Sequence, residues 1–164
     1  MIDLETLSTH CNAAIVSIGA VKFDKNGISD RFKINVDAKS CKEHGLHIDK
    51  ETIAWWSTQS PEARHLWMTD PVSLPEAIEA FDAWYGAKSL WTFGYGANFD
   101  IVLMESAYAA VGKKEPWKYF DIMCMRTICN LLNSKPDRSQ GVAHDALVDA
   151  ENQAIHLIKL LGEA

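Results

Sequence analysis

The sequence IDLET at residues 2–6, followed by AAIVSIGAVKF at residues 13–23, decides the fold class. Both stretches are rich in β-branched and apolar side chains, which is typical of buried strands. The second stretch leads into Asp24-Lys25-Asn26-Gly27 and then into an alternating segment from Ile28 to Val36, a pattern that predicts a hairpin with its turn at Asn26-Gly27. The chain therefore begins with antiparallel strands.

Helical periodicity dominates the rest of the chain. From Ser73 to Tyr85 the apolar residues recur at helical spacing, with Pro75 in the first turn and Gly86 just past the end. We expect a short buried strand from Lys88 to Phe93 and further helices at 99–111, 122–132 and 145–161. Antiparallel strands followed by alternating strands and helices predict an α/β fold, in which a mixed sheet is flanked by helices. We expect one domain over residues 1–164.

The composition is that of a globular protein. The 164 residues are 48% hydrophobic, enough for a core without disulfides or structural metals. No apolar run approaches the roughly 20 residues that cross a bilayer, so we expect no membrane association and a cytoplasmic location. Four cysteines without paired spacing indicate reduced thiols. A net charge of −6 argues against a protein that coats nucleic acid electrostatically, but it does not exclude an enzyme.

Two acidic residues lie two apart on the first strand. Asp3 and Glu5 project from the same face of an extended chain and could form a carboxylate platform for a metal ion. Alternating acids on a solvated strand are the more common explanation of such a pair taken alone. The apolar surroundings favour the metal site, because buried acids need a counter-ion.

Three further residues are candidates for chemistry. Asp100 follows a predicted strand and begins a helix, where it could be either a first-turn acid or part of a ligand site at the strand's carboxyl end. His144 and Asp149 stand five apart, and their side chains converge only if His144 precedes the last helix and Asp145 is its N-cap. A surface histidine beside a solvated acid is the alternative for this pair.

In this order, Asp3-x-Glu5, Asp100 and His144-x4-Asp149 resemble the DEDDh 3′–5′ exonucleases of the ribonuclease H-like superfamily, which include the proofreading subunit of bacterial replicative polymerase and ribonuclease T. The stretches 3–7, 12–21 and 143–150 and the pair Trp55-Trp56 are similar to the bacterial and phage branch related to exonuclease VIII. The resemblance covers residues 3 to about 161.

The resemblance implies that Asp3, Glu5, Asp100 and Asp149 hold two divalent cations and that His144 accepts a proton from the attacking water. Elementary electrostatics agrees, because two carboxylates about 4 Å apart repel by roughly 4 kcal/mol at an effective dielectric of 20. Oxygen ligands select Mg²⁺ or Mn²⁺ over zinc. The implied partner is the 3′ end of a single-stranded DNA or RNA, and the family implies a homodimer.

The sequence also departs from the family near its start. Only Met1 and Ile2 precede Asp3, so the first strand is shorter than the family's, and a truncated or mis-assigned start would explain this. The loop 8–11 lacks the glycine and proline often found there. Recognition of the terminal nucleotide near Thr6 and Leu7 is accordingly less well supported than metal binding.

Several residues are candidates for substrate contacts. Residues 112–138 carry six basic and three acidic side chains, a local balance of 6 − 3 = +3 that suits a phosphate-binding strip or a mixed solvated surface. Arg126 is the strongest candidate there, because it lies among apolar neighbours. Aromatic rings could stack on bases or belong to the core. The full set of predicted substrate contacts is Thr6, Leu7, Asn98, Phe99 and Arg126, with Trp55, Trp56 and Tyr95 as further aromatic candidates.

These observations predict a two-metal 3′–5′ exonuclease. Two alternatives remain open from the sequence. One is an endonuclease of the same fold, because the shape of the site decides whether an enzyme cuts at the end of a strand or internally. The other is a nucleic-acid-binding module without turnover, and the presence of all five chemical residues counts against it.

Overall fold

A five-stranded mixed sheet forms the centre of the protein. The structure, a computed structural model, describes residues 1–86, 90–137 and 141–162. In the sheet, β2 pairs antiparallel with β1 and β3, whereas β4 and β5 run parallel to β1, giving the order β3-β2-β1-β4-β5. The strands are β1 (Ile2–Thr6), β2 (Ile15–Asp24), β3 (Gly27–Asn35), β4 (Thr92–Gly94) and β5 (Ile122–Cys124).

Helices pack against this sheet, which confirms the predicted α/β architecture. They are α1 (Ala38–Glu43), α2 (Lys50–Thr58), α3 (Pro61–Met68), α4 (Leu74–Tyr85), α5 (Asp100–Ala110), α6 (Met125–Leu131) and α7 (Ala146–Gly162). Among the described residues, no helix combines the length and apolar character needed to cross a bilayer.

Alternation along β1 sends its side chains to two different environments. Ile2 and Leu4 belong to the larger core cluster, together with Ile101 and Met104 of α5. A second cluster contains Val21 of β2 and the apolar stripe of α7, including Leu157. The face of β1 that carries Asp3 and Glu5 is therefore the face on which α7 packs.

Local capping explains why α4 and α5 agree with the sequence prediction. Ser73 and Glu76 form a reciprocal capping box at the start of α4, and Gly86 ends that helix with φ 76°. Beyond α5, Gly112 adopts φ 70°, a left-handed conformation that glycine takes without steric cost.

The hairpin forms, but its turn is one residue earlier than predicted. Asp24 pairs with Gly27, so Lys25 and Asn26 occupy the turn instead of Asn26-Gly27. The carboxylate of Asp24 accepts the amide N–H of Asn26 at 2.7 Å, which fixes this register.

Two other segment predictions were partly wrong. The strand predicted from Lys88 begins only at Thr92, although residues 87–89 lie outside the described part of the chain. The helix predicted from Ile122 begins at Met125, because Ile122–Cys124 pairs with β4 as a parallel strand. Pairing with a distant strand overrides local helical periodicity there.

Candidate active site

Asp3 and Glu5 point from β1 toward the amino end of α7. Asp149 meets them from the first turns of that helix, and one carboxylate oxygen from each of the three residues lies within 4.8 Å of the others. Gln153, one turn further along α7, donates from Nε2 to Oδ1 of Asp3 at 2.7 Å. The three acids are therefore held together by one strand and one helix.

A glycine lets α7 approach the sheet this closely. Gly19 of β2 is paired with Asp3, and a β-carbon at Gly19 would lie 2.1 Å from the carbonyl carbon of Ala146. Only hydrogen fits between the sheet and the first peptide of α7 at this point. Asp149 reaches β1 because its helix begins in direct contact with β2.

Asp100 joins the cluster from the other side of β1. The parallel pairing of β4 with β1 brings Gly94 beside Ile2, and the turn that follows Gly94 ends at Asp100, the first residue of α5. Asp100 is only 6% exposed. Burial raises the pKa of its carboxyl to about 7, although backbone hydrogen bonds and the charge of Arg126 offset part of that effect.

The cluster favours protonated carboxyls in the absence of cations. Burial raises the pKa of Asp3 well above its ordinary range, and the charges of Asp100, Glu5 and Asp149 raise it further. Burial and the charges of Asp149, Asp100 and Asp145 raise the pKa of Glu5 to about 8, against a smaller opposing effect of Lys33. Without a compensating positive charge, these acids therefore favour proton uptake.

His144 lies beside Glu5, in the loop that leads into α7. Its Nδ1 is 3.9 Å from Oε1 of Glu5, and its backbone is left-handed, with φ 64°. The rings of Trp55 and Trp56 contact the imidazole edge to face, with centroids 4.9 and 5.8 Å away. As predicted, Asp145 caps α7 by accepting the amide N–H of Leu147 at 3.1 Å, so His144 precedes the helix.

These side chains border one cleft of about 560 Å³. Besides four acids and the histidine, its walls carry polar and aromatic groups suited to a phosphate or a base. Arg126 lies over the ring of Tyr95 at 5.0 Å from the centroid and against the backbone of Gly96. The lining comprises Asp3, Leu4, Glu5, Tyr95, Gly96, Asn98, Phe99, Asp100, Arg126, Ala143, His144, Asp149 and Gln153.

Residues 1–161 match the model of the Rv2179c-like family, described as a 3′–5′ exoribonuclease domain. The chain belongs to this family. The family model thus places residues 1–161 in a class of 3′–5′ exonuclease domains. The chain is also similar to an exodeoxyribonuclease of Enterobacteria phage T4, with 32% identity over 121 residues, 63% of this chain and 53% of the phage protein. It thus aligns with about half the length of this curated relative.

Within this domain of the Rv2179c-like family, the structure brings together most of the predicted site residues. Asp3, Glu5, Asp100, His144 and Asp149 all border the cleft, with Asn98, Phe99 and Arg126. Thr6 and Leu7 do not line it. The hydroxyl of Thr6 donates to the carbonyl of Ser8, and Leu7 is 6% exposed within the core. Their contact with the terminal nucleotide stays a prediction.

The aromatic candidates differ in position. Trp56 is a core residue, whose Nε1 donates to the carbonyl of Thr6 at 2.8 Å. Trp55 is 44% exposed beside His144 and remains accessible to a base. In the predicted basic strip, Lys113 pairs with Glu79, and Arg138 lies outside the described residues.

Three residues of the site were missed by sequence reasoning. Gln153 could have been predicted, because it stands one helical turn after Asp149 and so lies on the same face of the helix. Gly19 could also have been predicted, since an isolated glycine in a β-branched run indicates a close backbone approach. Lys33, whose Nζ donates to both carboxylate oxygens of Asp145 at 2.8 Å, could not, because strand register sets its position.

Proposed function

We propose that this protein is a two-metal-ion 3′–5′ exonuclease of the DEDDh type that acts on single-stranded DNA or RNA. It would hydrolyse the terminal phosphodiester bond and release nucleoside 5′-monophosphates. The observation that supports this most strongly is the meeting of Asp3, Glu5 and Asp149, with oxygens within 4.8 Å of one another, in a cleft that also holds Asp100 and His144.

The residues present fit divalent cations. All four candidate ligands, Asp3, Glu5, Asp100 and Asp149, offer carboxylate oxygens, which Mg²⁺ and Mn²⁺ prefer. Burial raises the pKa values of Asp3, Glu5 and Asp100, and neighbouring carboxylates raise those of Asp3 and Glu5 further, so that cations would relieve an unfavourable arrangement. When bound, two such ions would stabilise the charge that develops on the scissile phosphate and the leaving 3′ oxygen.

His144 is the residue we assign to proton transfer. Its side chain is 35% exposed, so it is accessible to water in the cleft. It would accept the proton of the attacking water. The imidazolium that results would lie beside the carboxylate of Glu5, 3.9 Å from Nδ1, and this proximity would stabilise the positive charge.

The polar and aromatic residues of the cleft would bind the nucleic acid strand. Arg126 is exposed, and the ring of Tyr95 lies beneath its guanidinium, whose N–H groups would contact phosphate oxygens. Phe99, which lines the cleft, and Trp55, which contacts the ring of His144, would serve as stacking surfaces for the terminal bases. Asn98, exposed in the same cleft, would contact the sugar or base.

The test is incubation with Mn²⁺ and single-stranded DNA and RNA of matched sequence, labelled at the 5′ end. We expect a ladder that shortens one nucleotide at a time, slowed by a 3′-terminal phosphate, and no cleavage by Asp149→Asn. The matched pair matters because the family is described as an exoribonuclease, whereas the phage relative is an exodeoxyribonuclease. Internal fragments from a circular single strand would contradict exonuclease polarity and indicate an endonuclease.

We also propose a homodimer, on the resemblance to the DEDDh exonucleases. Sedimentation velocity at micromolar concentration tests this, and a single species at 18.3 kDa would contradict it.

A further inference from the structure

We propose that Lys33 is a positioning residue, which holds His144 in the cleft through the carboxylate of Asp145. The inference rests on the proposed function, because it assigns Lys33 a role relative to the proton acceptor. Lys33 lies on β3, and its Nζ donates to Oδ1 and Oδ2 of Asp145, both at 2.8 Å. The two side chains are 26% and 13% exposed, so solvent screens this ion pair less than an ordinary surface pair.

Asp145 connects this ion pair to the site. The same carboxylate oxygen, Oδ1, accepts the amide N–H groups of Leu147 at 3.1 Å and Val148 at 3.5 Å. The residue is thus fixed between strand β3 and the first turn of α7. The backbone nitrogen of Asp145 is bonded to the carbonyl carbon of His144. The position of Asp145 therefore constrains the backbone of His144, which carries the imidazole.

His144 needs such an anchor because of its backbone conformation. A non-glycine residue at φ 64° is in the sparsely populated left-handed region and persists there only where its surroundings hold it. On the other side of the ring, Trp55 and Trp56 make only edge-to-face contacts with the imidazole, and Glu5 lies at 3.9 Å. Among the contacts of the described residues, the Lys33–Asp145 pair ties the residue that follows His144 to the sheet.

The strand register explains why Lys33 reaches this point. Lys33 is paired with Gly19, and Gly19 is paired with Asp3, so the three residues form one row on the same face of the sheet. The first peptide of α7 crosses this row over Gly19. Lys33 therefore binds the residue that caps α7 from a neighbouring strand. The first peptide of α7 lies between Lys33 and the acid cluster.

Arg31 offers a matched control on the same strand. It lies two residues before Lys33, projects from the same face and pairs with Glu151, further along α7. We expect Lys33→Met to lower kcat about 10- to 100-fold, because misplacement of a catalytic group by about 1 Å has effects of this order. KM should change by less than about twofold, because Lys33 is not among the described residues that line the cleft. Arg31→Met should leave kcat unchanged.

A double-mutant cycle separates positioning from general destabilisation. If Lys33 acts through His144, then Lys33→Met in the His144→Ala background should change kcat by less than about twofold. Equal fold-changes in both backgrounds would overturn the proposal. Asp145→Asn keeps an N-cap while removing the charge that binds Lys33, so it should reproduce the kcat loss even if Lys33→Met fails to fold.

A measurement without turnover tests the same geometry. The rings of Trp55 and Trp56 should shift the imidazole proton signals of His144 in NMR spectra, assigned by comparison with His144→Ala. In Lys33→Met these signals should move toward those of a free histidine, and in Arg31→Met they should stay in place. Unchanged His144 signals in Lys33→Met would overturn the inference, whereas an inactive wild-type protein with the expected signals would overturn only the proposed function.

Discussion

Gly19 lies directly beneath Ala146, so close that a β-carbon on Gly19 would be 2.1 Å from the carbonyl carbon of Ala146 and 2.2 Å from its oxygen. Backbone atoms cannot move aside as a flexible side chain can. Helix α7, which carries Asp149 and follows His144, therefore sits where it does because β2 has no side chain at this position.

Gly19→Ala should displace the start of α7. We expect a loss of about 1 to 3 kcal/mol in the free energy of unfolding, typical of overpacking, measured by urea denaturation. Activity should fall by more than the decrease in folded protein explains, because Asp149 moves away from Asp3. Gly162→Ala is the control, since its β-carbon would meet nothing within 4 Å. Normal Mn²⁺ binding and turnover in Gly19→Ala would show that the close approach is unnecessary.

The stability of the metal-free protein should fall as pH rises from about 4.5 to 8. Burial and neighbouring acids raise the pKa of Glu5 from 4.5 to about 8, and burial raises that of Asp100 from 3.8 to about 7. Across this interval the folded state holds protons that the unfolded state has released, so the free energy of unfolding decreases with rising pH.

This pH dependence is measured as Tm between pH 5 and 8.5 in the presence of a chelator. The double variant Glu5→Gln, Asp100→Asn should flatten the profile, because neither amide ionises. Mn²⁺ should stabilise the wild-type protein most at pH 8, where the carboxylates are free of protons. An equally steep fall in the double variant would place the responsible groups elsewhere in the molecule.

Removal of one proposed ligand should separate metal binding from folding. Asp3→Asn and Asp100→Asn should abolish turnover and weaken the stabilisation by Mn²⁺, since that stabilisation scales with affinity for the folded state. Without metal, both variants should be at least as stable as the wild-type protein, because a buried amide needs neither a proton nor a counter-ion, whereas a buried carboxyl needs one of them. If they melt clearly lower without metal and gain the wild-type increment from Mn²⁺, the acids are structural.

His144→Ala should lower the rate without the loss of Mn²⁺ binding expected of the ligand variants. A lost proton acceptor lowers the rate by about 10²- to 10⁴-fold, the usual range for general base catalysis, whereas Mn²⁺ affinity should barely change. Calorimetric Mn²⁺ binding to His144→Ala and Asp149→Asn makes the comparison. Loss of Mn²⁺ binding in the histidine variant would make His144 a ligand instead.

The positions of the acids could be predicted from the sequence, because their spacing determines which side chains share a face. Asp3 and Glu5 share a face through strand alternation, and a capping aspartate at 145 puts His144 ahead of the helix. These relations are local. Ile122–Cys124 was assigned to a helix because its strand character comes from pairing with β4, thirty residues earlier in the chain.

Contacts across the sheet were beyond the reach of a single sequence. Lys33 meets Asp145 only because β3 and α7 pack together, and a separation of 112 residues along the chain leaves no pattern to detect. Trp56 and Trp55 are adjacent and chemically identical, yet one is 3% exposed and the other 44%. The rotation of α2 against the core decides which of them is exposed beside His144.

Hydrolysis in ¹⁸O-labelled water tests the central claim most directly. An unlabelled single strand is incubated with the protein and Mn²⁺, and the products are identified by mass spectrometry at early times. We expect nucleoside 5′-monophosphates with one ¹⁸O on the phosphate, formed by the wild-type protein and lost in Asp149→Asn. Nucleoside 3′-phosphates, cyclic phosphates or internal oligonucleotides as the first products would contradict it.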